Sequence, residues 1–67
     1  MNKVVLDMLF RKLYYNRLKF GSAELADVEK DLYNQGVAAW KLVGVGYAFR
    51  LKNETTTHFW YLGKGIV

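Results

Sequence analysis

The chain has no cysteine, no proline, one histidine and one serine among its 67 residues. Without cysteine no disulfide can staple the fold, and a lone histidine cannot build a zinc site. Both usual supports of a very small domain are therefore excluded, and stability must come from packing or from a second subunit. Long apolar runs are also lacking. The longest, Leu42 to Phe49, contains two glycines and falls far short of the ~18 residues of a membrane span. Near the start, Val4-Val5-Leu6 is interrupted at once by Asp7 and then by Arg11 and Lys12, so no secretory signal is expected. The expected compartment is reducing and intracellular: the cytoplasm, or the host cytoplasm for a viral chain. In that setting the glycosylation match at Asn53-Glu54-Thr55 carries no meaning.

What is present argues for a folded protein. The hydrophobic fraction of 52% and the eleven aromatic residues are too high for a disordered chain. A chain of this length forms one domain, in which only about 60% of the unfolded surface can be buried. The net charge of +4 is unevenly spread: residues 1–20 carry +4, residues 21–36 carry −3 and residues 37–67 carry +3. Two basic segments thus flank an acidic one, a pattern that bears on partners and not on fold.

Residues 3–20 have helical periodicity. Leu6, Leu9, Phe10, Leu13, Tyr14 and Phe20 fall within one arc of about 140°, which predicts a core face. Gly21 follows where a C-cap glycine is favoured. The opposite face mixes Arg11, Lys12 and Lys19 with Val4, Met8, Tyr15 and Leu18. A helix apolar on two sides is buried twice or meets a partner, so Val4, Met8, Tyr15 and Leu18 are the candidate self-association residues, most simply of a homodimer. A second helix is predicted over 22–34, capped by Ser22, with Leu25, Val28 and Leu32 inward and Glu24, Asp27, Lys30 and Asp31 outward.

Beyond Gly36 the period changes to two. Tyr47, Phe49 and Leu51 alternate with Ala48, Arg50 and Lys52, and the stretch 56–62 is rich in β-branched and aromatic residues. A two- or four-residue loop around Glu54-Thr55 would set Lys52 opposite Thr57, Arg50 opposite Phe59, Ala48 opposite Tyr61, Phe49 opposite Trp60 and Leu51 opposite His58. That register makes Tyr47, Phe49, Leu51, Trp60 and Leu62 a core face and Arg50, Lys52, Phe59 and Tyr61 an outer face, whereas a three-residue loop would exchange the faces of the later strand. Residues 37–43 fit either a strand or a short helix. The expected fold is α+β: two N-terminal helices followed by a small antiparallel hairpin or three-strand meander, with strands at about 38–44, 47–52 and 56–62. With 37–43 helical, the element order instead resembles a reduced winged helix-turn-helix, with Val37–Val43 as recognition helix and Tyr47–Leu62 as wing. That resemblance implies DNA binding, yet Lys41 alone would be available to read the groove.

Candidate chemistry is sparse. A Ser22–His58–Asp7 arrangement is conceivable, but Ser22 already serves as a cap and His58 lies in a strand. Asp27, Asp31, Glu24 and Glu29 read as a solvated helix surface. Gly44-Val45-Gly46 and Gly63-Lys64-Gly65 do not lead into helix N-termini, so they read as turns and not as phosphate loops. No spacing resembles a metal-ligand set, and no catalytic residue, metal or cofactor is expected. Surface recognition remains. Arg50 and Lys52 interleaved with Phe59 and Tyr61, aided by Arg11, Lys12 and Lys19, fit a surface that stacks bases and meets phosphates. The competing expectation is a protein-binding module, a small inhibitor or accessory factor of the sort phages encode, acting on an acidic protein partner.

Overall fold

A computed structural model describes residues 1–17 and 23–67. The fold is α+β. Helix α1 (Lys3–Asn16) and helix α2 (Ala23–Asn34) precede four strands: β1 (Val37–Val43), β2 (Gly46–Leu51), β3 (Thr57–Tyr61) and β4 (Gly65–Ile66). The strands form one antiparallel sheet in the order β1-β2-β3-β4.

Helix α1 begins at Asn2, whose side-chain oxygen accepts the Val5 N–H at 3.1 Å, a standard N-cap. It ends at Asn16, with Arg17 as its C-cap. Asn16 turns its amide back onto the Lys12 carbonyl at 2.8 Å, and the Arg17 guanidinium donates to the Tyr14 carbonyl. Leu18, Lys19, Phe20, and the caps expected at Gly21 and Ser22 lie outside the described residues. Helix α2 closes at Gly36, whose φ of 96° is open to glycine at little cost.

The segment 37–43 is a strand, which removes the winged helix-turn-helix alternative. The sheet also has a fourth strand, β4, that a three-strand meander did not include. The β2–β3 register differs from expectation. Arg50 pairs with Thr57, Phe49 with His58, Ala48 with Phe59, Tyr47 with Trp60 and Gly46 with Tyr61. The longer connection from Lys52 to Thr56, turning at Asn53 with φ 62°, moves the pairing by two residues. A shift of two keeps side-chain parity, so the expected faces survive although the partners change.

The inner face of the sheet carries the rows Trp40–Phe49–His58 and Leu42–Tyr47–Trp60–Ile66. Both helices pack there. Leu6, Phe10 and Leu13 of α1 and Val28 and Leu32 of α2 join Val37, Tyr47, Phe49 and Trp60 in one core. Phe10 is its centre, with ring centroids 5.4 Å from Tyr47, 4.8 Å from Phe49 and 6.0 Å from Trp60. The indole N–H of Trp60 donates to Asp7 Oδ1 at 2.6 Å, fastening α1 to β3.

Candidate binding surface

Both helices occupy the inner face, so the outer face is left to solvent. Cross-strand pairing sets it out in rows: Ala39–Arg50–Thr57, Lys41–Ala48–Phe59 and Val43–Gly46–Tyr61. Small residues in β2 leave room for large neighbours. A Cβ at Gly46 would stand 2.6 Å from the Tyr61 ring, so that ring lies directly against the glycine backbone. Phe59 lies opposite Ala48, which is only 6% exposed although no helix covers it. The two rings have parallel planes, 1° apart in tilt, with centroids separated by 6.1 Å.

Across β1 and β2 is an open, shallow depression of about 240 Å³ lined by Ala39, Trp40, Lys41, Ala48, Phe49, Arg50 and Thr57. Lys41 and Arg50 are exposed. Arg50 reaches the Leu51 and Glu54 carbonyls only at 3.5 and 3.3 Å, which leaves its guanidinium available to an anion. None of β1, β2, β3 and β4 contains an Asp or Glu, so nothing on the strands cancels these cations. The one carboxylate after Gly36, Glu54, sits in the β2–β3 connection and is 3.3 Å from His58 Nε2.

Of the residues expected from sequence, Arg50, Phe59 and Tyr61 come together on this face. Lys52 turns away: its N–H donates to the Gly36 carbonyl at 2.8 Å, and its ammonium lies 3.4 Å from the Tyr33 ring centroid on α2. Arg11 and Lys12 are exposed on the side of α1 that faces away from the sheet, so they do not extend the outer face. Lys19 lies outside the described residues. Lys41 was not among the residues expected here, because no register followed from the sequence for the strand that holds it. Its position opposite Ala48 follows once β1 is a strand.

Of the Ser22–His58–Asp7 candidates, Ser22 lies outside the described residues and the other two have separate partners. Asp7 is bonded to Trp60 and Arg11, whereas His58 stacks on Phe49 at 5.4 Å and faces Glu54. Among the described residues no three His, Asp or Glu side chains converge as a metal site, and no helix is long and apolar enough to cross a membrane. No family model, curated protein or solved structure matches this chain.

Proposed function

We propose that this chain is a non-enzymatic nucleic-acid-binding domain that takes a single strand on the outer face of its sheet. The observation that carries the reading is the combination of Phe59 and Tyr61 with Lys41 and Arg50 on a solvent-open face whose strands hold no carboxylate. Flat rings stack bases of any sequence, and flanking cations meet the phosphates between them. The depression over Ala39 and Ala48 offers space for one splayed base.

Fluorescence anisotropy with labelled oligonucleotides tests this. The two cations of this face, Lys41 and Arg50, predict log affinity falling with log salt at a slope of about −1 to −2 on single strands. Phe59→Ala or Tyr61→Ala should each cost about 1–3 kcal/mol by lost stacking, while Arg50→Ala should flatten the slope by roughly one contact. Absence of saturable binding at ~50 mM salt, where electrostatic attraction is strong, ends this reading.

A second reading, an acidic protein partner, has one observation in its favour. Strand β1 is a sheet edge, and Leu42, Val43 and Val45 beside it are 50%, 40% and 57% exposed. Such an edge can accept an extended acidic segment next to Lys41 by strand addition. Binding that resists ring substitution but fails on Leu42→Glu would favour it.

A further inference from the structure

On the far side of the molecule, Val4, Met8, Arg11 and Tyr15 recur at intervals of four, three and four residues along α1. That is the 3.5-residue repeat of a two-helix seam. Leu6, Phe10 and Leu13 face the sheet, so the seam points away from it. Val4, Met8 and Tyr15 are 71%, 64% and 64% exposed, although a seam of this composition is apolar except at Arg11.

We propose that α1 is the interface of an antiparallel homodimer, with the same helix of a second copy as its occupant. Charge decides both occupant and direction. A parallel pairing would set Arg11 against the partner's Arg11. An antiparallel pairing sets Val4 beside the partner's Tyr15 and Met8 beside the stem of the partner's Arg11. It also brings the partner's Arg11 level with Asp7, which lies on the same flank of the helix. Asp7 is prepared for this. Its Oδ1 is held by Trp60 at 2.6 Å, while Oδ2 has a 3.3 Å contact to Arg11 of its own helix, which can exchange across the seam. The surface is thus complementary to itself under two-fold rotation, as an isologous contact requires. The two outer sheet faces then point in opposite directions and stay unobstructed, so this inference does not depend on what they bind.

Four residues a side make a small interface, below the ~1,200 Å² of stable complexes, so the dissociation constant should be on the order of 100 µM. Sedimentation velocity from ~10 µM to ~1 mM should therefore show monomer passing into dimer, with Met8→Glu weakening association by about tenfold or more. Direction is read by cross-linking, since the chain has no cysteine of its own. Val4→Cys and Tyr15→Cys chains are mixed, oxidised and weighed by mass spectrometry. In the antiparallel seam the mixed disulfide dominates, because like positions lie about 16 Å apart along the helix and a disulfide spans less than ~7 Å between Cα atoms. All three positions are exposed, and circular dichroism confirms that each variant is folded. A monomer throughout the concentration range, a predominance of like-with-like disulfides, or a statistical mixture of the three products would each overturn the proposal.

Discussion

Tyr47 places its phenol in the packed centre of the molecule, 4% exposed, with the rings of Phe10, Trp60 and Tyr14 at 5.4, 5.9 and 6.5 Å. Burial raises its pKa above the ordinary 10.0; the charge of Arg17 pulls it part of the way back, and Tyr14 adds a smaller upward push. A phenol harder to ionise folded than unfolded stabilises the fold fully below the unfolded value of about 10. As pH rises past that value the unfolded chain releases its proton first, and the contribution is lost as pH passes through the raised folded value. Urea midpoints measured from pH 8 to pH 11.5 should therefore fall less steeply for Tyr47→Phe than for the wild type (a range chosen to bracket the phenol pKa of about 10). Parallel falls would assign the alkaline loss to other groups. Not every residue is as transparent in the sequence. Lys52 alternates with Arg50 as an outer-face residue should, yet it bonds Gly36 and covers Tyr33. Its direction depends on where the end of α2 stands against the end of β2, a juxtaposition that local alternation does not encode.

Among the elements, β2 was legible because alternation of large apolar residues specifies which face is buried, and β3 because β-branched and aromatic residues crowd positions 56–62. Their register was not, since it depends on loop length, and loops differing by two residues leave identical faces. Strand β1 was ambiguous for a different reason. Its pairing shifts between Val37 and Ala39, an irregularity that breaks the alternation and lets Val37, Trp40 and Leu42 share the inner face. A sequence pattern of three then two resembles neither a clean helix nor a clean strand. The close approach of β2 and β3 is a consequence of Gly46, where an added Cβ would stand 2.1 Å from the Trp60 carbonyl oxygen. That oxygen belongs to the backbone of the paired strand and cannot swing aside. Gly46→Ala should therefore cost about 3 kcal/mol or more, at or beyond the upper end of ordinary overpacking. Denaturant unfolding measures it, and a loss below about 1 kcal/mol would show that the strands separate easily there.

At the scale of the whole molecule, the sequence showed two basic segments but not that they lie on opposite sides. Arg11 and Lys12 belong to the outward side of the helical layer, whereas Lys41 and Arg50 belong to the open face of the sheet. Candidate cations from both ends were grouped by composition, and only packing separates them. The same packing bears on how the chain folds in time. Strands join in chain order, so every β pairing closes a short loop. The bond from Asp7 to Trp60 is the contrary case, linking residues 53 apart. Closure over that distance is entropically dearest, so docking of α1 on the completed meander belongs after the rate-limiting step. Asp7→Ala leaves the indole N–H without its acceptor and should cost about 1–3 kcal/mol. Nearly all of that loss should appear as unfolding accelerated about 5- to 150-fold, with the refolding limb of a stopped-flow chevron almost unmoved. If refolding slows by a comparable factor instead, the first helix is already seated at the barrier, and the meander does not form ahead of it.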